Sequence, residues 1–408
     1  VALRAVTAGE WVVDSIDAVD EATGALYFSA SKDTPLERHL YRTFLWGASA
    51  SAGEAERLTE APGWHDVAVS VEKDTFADLY SSSSSPVTLD LASLRDRSAR
   101  QRNVLGLSDA RMNLFSGKLA QPEFLQVPTS DGKHTLMSML YRPDPERFGP
   151  GPHATIVMVY GGPQVQRVRN TWNATANMRA QWYRSLGLAV LQTDNRGSAR
   201  RGRAFEGAIH MRLGHVEVED QKAAVARAVE LGVTDPSRVG VHGWSYGGYM
   251  ALMMLCKAPD VFRAGVAGAP VTYWEAYDSA YTERYLSTPQ LNPQGYGDSS
   301  AVAQAHQLQG RLLIVHGLID ENVLFRNSAR LIKSLTAARK AYDLILFPEE
   351  RHSPRSLEDR VYLEESVCSF FMRHVLQGGD HDDARRRRRG HRGRCGGAPR
   401  GPPRRGAA

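Results

Sequence analysis

Six short apolar runs constrain this chain more than any other feature: ATIVMVY, LGLAVLQTD, RVGVH, AGVAGAP, LLIVH and DLILF, spread between residues 154 and 347. Each has the length of a strand and carries apolar residues at successive positions, so neither face of such a strand suits water. Between them lie segments such as VEDQKAAVARAVELG and NSARLIKSLTAAR, whose apolar residues recur at helical spacing. Strands apolar on both faces and separated by helices make a parallel sheet covered on either side. A hairpin pattern, EFLQVPT then HTLMSMLYR, precedes them. The stretch 121–376 therefore reads as one α/β domain with a mainly parallel sheet.

Upstream, from Glu10 to about Leu91, the pattern is different: EWVVDSID, GALYFSA, RHLYRTFL, HDVAVSV, TFADLYS and PVTLDL are short strands broken by turn residues. They suggest sequential antiparallel hairpins. At about 40 residues per group of strands they supply two to three blades of a β-propeller, where closed propellers have typically four to eight. Residues 1–120 are thus expected to be a partial propeller, incomplete as given, and the Ser81 to Ser85 run a loop or exposed strand. Residues 377–408, rich in Arg, Gly and Pro, have almost no apolar side chains and are expected to be disordered.

Composition narrows the function classes. The net charge is +5, from 50 basic and 45 acidic residues, but ten arginines follow Ala384, and without them 40 basic residues face 45 acidic ones. The basic excess belongs to the tail, and no nucleic-acid partner is expected. Cys256, Cys368 and Cys395 are scattered, without metal-ligand or disulfide spacing, which fits a reducing, cytoplasmic compartment. No apolar run reaches the roughly 18 residues of a membrane span, and no signal peptide is evident. The chain begins at Val1 rather than Met.

RVGVH runs directly into GWSYGGYMALMML, which places Gly243-Trp244-Ser245-Tyr246-Gly247 between a strand and a helix. A G-x-S-x-G turn there is a nucleophile elbow. It is tight enough to require glycine at 243 and 247, and it lifts Ser245 to the sheet edge at a helix N-terminus. Serine is a poor nucleophile without a base, and the base needs an orienting acid. In this arrangement the chain order is Ser, acid, His. LLIVHGLIDENV puts Asp320 just past one strand, and LILFPEERHSPR puts His352 past another, both at the carboxyl edge of the sheet where ligands bind. His306, His316 and His374 are weaker candidates, readable as surface or core histidines. An oxyanion would be held by the backbone N–H of Tyr246 and by a donor from the loop Tyr160-Gly161-Gly162.

GWSYGGYM, VYGGPQ, DNRGSARRG, GHVEVEDQ, APVTYWEAYDSAYTERY, HGLIDENV and FPEERH, in this order, resemble the prolyl oligopeptidase family, and most closely its dipeptidyl peptidase IV branch. The resemblance implies an α/β-hydrolase domain preceded by a propeller. It also implies a serine peptidase that releases Xaa-Pro dipeptides from peptide N-termini through an acyl-enzyme, with neither metal nor cofactor. It makes the Tyr160 hydroxyl the second oxyanion donor. Tyr246, Val271, Trp274, Tyr277, Tyr281 and Val323 become the walls of a proline pocket, and Asn322 the holder of a substrate carbonyl. Aromatic faces with two valines suit a flat, apolar ring. The residues alone read VTYWEAYDSAYTERY as an aromatic helix stripe, with Tyr277 and Tyr281 at i and i+4. Homodimers are common in the resembling branch.

The sequence departs from the family pattern in one respect. The branch selects a free N-terminus with a pair of glutamates on an upstream propeller element, and no such pair stands in the N-terminal strands here; Glu349-Glu350 and Glu364-Glu365 lie in the other domain. An endo-acting oligopeptidase or acylaminoacyl-peptidase of the same superfamily is therefore the second reading, distinguished by cleavage of blocked peptides. A truncated chain with little turnover is another, and a non-catalytic binding protein is the third class, opposed by the complete Ser245, Asp320 and His352 set.

Overall fold

The structure, a computed structural model, describes residues 4–46, 54–96, 98–104 and 117–377. The Arg-rich tail beyond Gln377, with Cys395, lies outside the described residues. Two four-stranded antiparallel sheets come first. One runs β1 (Val13–Asp20), β2 (Ala25–Ala30), β3 (His39–Phe44), β4 (Glu56–Arg57), and the other β5 (Trp64–Ser70), β6 (Thr75–Ser82), β7 (Ser85–Ser93), β8 (Arg100–Gln101), each with sequential strands as neighbours. Such meanders are propeller blades. Their facing sides share one apolar cluster, in which Tyr27, Leu40 and Leu58 of the first meet Phe76 and Leu94 of the second. The serine run is not a free loop. Ser82 is buried, the Ser83 N–H donates to Asn170 Oδ1 at 2.9 Å, and the Thr175 hydroxyl donates to the Ser83 carbonyl at 2.6 Å. The tip of the β6–β7 hairpin is thereby fastened to the second half of the chain.

That half is an eight-stranded sheet. Its strands are β9 (Glu123–Pro128), β10 (Thr135–Tyr141), β11 (His153–Val159), β12 (Ala189–Asp194), β13 (Thr234–Trp244), β14 (Ala264–Gly268), β15 (Arg311–Gly317) and β16 (Asp343–Phe347). The spatial order is β9-β10-β12-β11-β13-β14-β15-β16, with β9–β10 and β10–β12 antiparallel and every other pair parallel. The longer connecting helices are α1 (Met178–Ser185), α2 (Val216–Glu230), α3 (Tyr246–Lys257), α4 (Ser279–Leu286), α5 (Arg326–Ala337) and α6 (Leu357–Phe371). The central apolar strands are buried on both faces, whereas β16, at the sheet edge, leaves Leu344 and Leu346 exposed. Val157, Leu191 and Val241 pack with α2 and α3 on one side, while Ile156, Val190, Val266 and Val315 pack with Phe370 and Phe371 of α6 on the other. This is an α/β-hydrolase domain, preceded by a partial β-propeller.

Two elements differ from their sequence outline. β13 starts at Thr234, four residues before RVGVH, because Thr234 pairs with His153 across an irregularity that absorbs Asp235 to Arg238. The aromatic segment is not one helix. A short 3₁₀ turn covers Trp274–Ala276, Tyr277 is extended at φ −102° and ψ 167°, and Asp278 caps α4 by accepting from the Tyr281 N–H at 2.8 Å. Asp at a helix N-cap is a strong start signal, and it places Tyr277 outside the helix.

Candidate active site

The sheet carries every candidate residue at one edge. Tyr160 follows β11, Ser245 follows β13, Val271 and Trp274 follow β14, Asp320 and Val323 follow β15, and His352 follows β16. Strand order reverses at β11, between β12 on one side and β13 on the other, and ligands bind at the carboxyl ends of strands at such a point. Val159 and Gly243 are register partners, so Tyr160 and Ser245 leave adjacent strands at nearly the same height.

Ser245 sits between β13 and α3 at φ 61° and ψ −118°, a left-handed conformation that costs a non-glycine residue of order 1–3 kcal/mol. Its own N–H donates to the Gly268 carbonyl at 2.8 Å, and its side chain makes no capping bond. The glycines around it are demanded by space. A Cβ at Gly243 would overlap the Gly247 carbonyl, one at Gly247 the Val159 carbonyl, and one at Gly162 would stand 2.6 Å from the Tyr246 ring. The elbow is thus wedged between β11 and the start of α3.

His352 Nδ1 lies 2.8 Å from Asp320 Oδ2, and the Trp244 indole N–H donates to the His352 carbonyl at 2.6 Å. The residue next to Ser245 therefore holds the backbone of His352. Asp320 is buried and saturated. Oδ1 accepts from the Asn322 and Val323 N–H groups, both at 2.9 Å, and Oδ2 faces His316 Nε2 at 3.2 Å as well as His352. Burial alone would raise this carboxyl, but the hydrogen bonds to His316 and His352, the charge of His352 and the Asn322 N–H outweigh it and hold it well below the usual carboxylate range. His316 is fully buried, with Nδ1 2.8 Å from Ser328 Oγ and Nε2 2.7 Å from the Val323 carbonyl. His352 is half-buried, His306 is exposed, and His374 lies in a π turn at Met372–Leu376.

The aromatic residues converge as a box. The Trp274 ring centroid is 5.6 Å from Tyr246, 6.2 Å from Tyr277 and 6.3 Å from Tyr281, and Tyr277 meets Tyr281 edge-on at 5.3 Å. Val271 and Val323 are buried in the same cluster. The Tyr277 hydroxyl donates to Asn322 Oδ1 at 2.9 Å. Tyr160 stands 6.0 Å from Tyr246, with the Arg167 guanidinium over its ring at 5.3 Å from the centroid, and burial raises its phenol so that it keeps its proton at neutral pH. Sequence reading missed Glu217, Arg167 and Tyr285; the Tyr285 ring, 5.0 Å from Tyr281, was present in the aromatic segment as the next i+4 position.

Comparison with known proteins identifies the family. Residues 174–378 match the model of the prolyl oligopeptidase family. The chain belongs to this family. Residues 2–87 match the dipeptidyl peptidase IV N-terminal region. Dipeptidyl peptidase 8 of Mus musculus is 39% identical over 381 residues, covering 91% of this chain and 42% of the relative, and dipeptidyl peptidase 8 of Homo sapiens is 38% identical over 386 residues, with the same shares. The chain thus spans less than half the length of these relatives. The crystal structure of Porphyromonas gingivalis dipeptidyl peptidase 4 superposes with a TM-score of 0.81 at 30% identity, over 92% of this chain and 52% of that one.

Proposed function

We propose that this chain is a serine-type dipeptidyl peptidase whose substrates are peptides with proline in second position, with residues 121–376 as its catalytic domain and residues 1–120 as its propeller portion. The observation that carries the reading is the 2.8 Å contact of His352 with a buried, fully hydrogen-bonded Asp320, on a loop tied to the residue beside Ser245. In this reading Ser245 attacks the scissile carbonyl and His352 takes its proton and later passes it to the leaving amine. Asp320 holds the imidazole in the tautomer with its free nitrogen toward the serine. The Tyr246 N–H and the Tyr160 hydroxyl receive the negative charge that develops on the carbonyl oxygen. Asn322 already accepts from Tyr277, which leaves its amide N–H₂ as the donor for a substrate carbonyl. Exposed Leu357, Val361 and Tyr362 on α6 support a second copy of the chain as a further partner.

Two measurements test the reading. Dipeptidyl diphenyl phosphonates, which phosphonylate an active serine, report pocket and chemistry together. The Ala-Pro compound is expected to inactivate the protein faster than the Ala-Lys compound by orders of magnitude, because the lysine ammonium would lose its water against Trp274 and the tyrosines with no carboxylate in return. Equal rates would leave a serine hydrolase without a proline pocket. Tyr160→Phe is expected to lower the limiting inactivation rate about 10² to 10³-fold while the binding constant stays nearly the same, since a donor aimed at an oxyanion acts in the transition state. A change confined to the binding constant would reduce Tyr160 to a contact residue.

A further inference from the structure

Glu217 is a charge in an unlikely place. It stands in the first turn of α2 with no solvent exposure, and its carboxylate is filled by three donors. Oε1 accepts from the Gly214 N–H at 2.8 Å and from the Tyr246 hydroxyl at 3.0 Å, and Oε2 accepts from the His215 N–H at 2.9 Å. A carboxylate removed from water is costly unless its lone pairs are satisfied, and the start of a helix offsets part of that cost. The turn that supplies the donors is itself fixed. Gly214 has φ +69°, a Cβ there would overlap the Tyr249 hydroxyl, and Lys257 Nζ donates to the Gly214 carbonyl at 2.9 Å. Tyr246 opens α3 and Lys257 closes it, so the turn and the carboxylate clamp the nucleophile helix at both ends. Within that frame Tyr246 is the part that faces the aromatic box, 5.6 Å from Trp274.

We infer that Glu217 is a positioning residue for the proline pocket: its hydrogen bond to the Tyr246 hydroxyl fixes the tilt of the phenol ring against which the substrate ring packs. The inference rests on the pocket reading given above. A ring held at its far end presents a rigid wall to proline, whose flat side covers it. Alanine, with a single methyl, touches little of that wall. The rate ratio for proline over alanine therefore depends on Glu217, whereas a general loss of folded protein would lower both rates by the same factor.

The test uses Ala-Pro and Ala-Ala diphenyl phosphonates with the full chain, the Glu217→Gln variant and the Tyr246→Phe variant, with an alkyl fluorophosphonate to count competent Ser245. The Pro-to-Ala ratio is expected to fall about tenfold in each variant, the size of one hydrogen bond to a charged group. The double variant should fall no further than Tyr246→Phe alone, because phenylalanine already removes the donor and glutamine only exchanges the charged acceptor for a neutral one. Tyr246→Phe deletes a single oxygen and carries the test if Glu217→Gln does not fold. An unchanged ratio in either folded variant, with Ser245 still labelled, overturns the inference and leaves the pocket reading standing. Absence of any proline preference in the unsubstituted chain overturns both.

Discussion

Replacing Ser245 by alanine is expected to abolish phosphonylation by an alkyl fluorophosphonate, and His352→Ala to reduce its rate to near background, with the circular dichroism of both variants unchanged. The fold should tolerate the changes because neither side chain carries packing. Ser245 makes no capping bond and both residues are only half-buried, while the backbone of His352 is held through its carbonyl by Trp244. Alanine also meets the left-handed backbone at 245 with the same Cβ that serine has. The two variants should be equally inert, since a nucleophile without its base is no better than a base without its nucleophile. Labelling that persists in Ser245→Ala at a different residue would move the chemistry elsewhere.

The second large effect concerns Asp320. Asp320→Asn is expected to slow phosphonylation on the order of 10⁴-fold with little change in fold, because the amide cannot satisfy the same four contacts. If its nitrogen takes the Oδ2 position, it meets the Nδ1 of His352 as a donor and favours the tautomer that points a proton at Ser245. Turned over, it faces the N–H groups of Asn322 and Val323. A loss below tenfold would show that His352 is oriented by something else. The pH profile follows from the same environment. A carboxyl held below its ordinary range contributes stability above the unfolded carboxylate range, and that contribution disappears only as pH falls through the depressed folded value. Asp320 should therefore contribute no unfolding transition by circular dichroism on mild acidification, and activity lost in that interval should return fully on neutralisation.

Much of this was legible in the chain because local pattern and tertiary role coincide. The central strands of the α/β sheet carry apolar residues at successive positions, and alternate residues are buried on opposite faces, as with Val157 against Ile156. The elbow could be read from glycines whose missing side chains are required by the neighbouring backbone. Other features depend on contacts between distant segments, which periodicity cannot carry. Tyr277 and Tyr281 have helical spacing, yet Asp278 caps the helix between them, and the two rings meet across a helix start rather than along a helix face. The serines of the β6–β7 hairpin look solvated by composition but are held by Asn170 and Thr175, about ninety residues on. Among the described residues four histidines follow the elbow, and sequence cannot say that His316 is sealed behind Asp320 while His352 reaches the surface. Glu217 stood within the motif GHVEVEDQ but gave no sign of its burial, since an acidic residue in the first turn of a helix is ordinarily exposed.

Asp320 joins two requirements that other enzymes can keep apart. One oxygen of its carboxylate faces the base and the other holds the backbone of Asn322 and Val323, which line the proposed pocket. Drift in the pocket loop is consequently not free to explore. An insertion or a backbone turn at 321–323 that might admit a new side chain would pull on the group that orients His352, and the lineage would lose rate before it gained a substrate. Changes of preference should accumulate instead on the β14 side of the pocket, around Val271 and Trp274, where side chains can vary without touching that carboxylate.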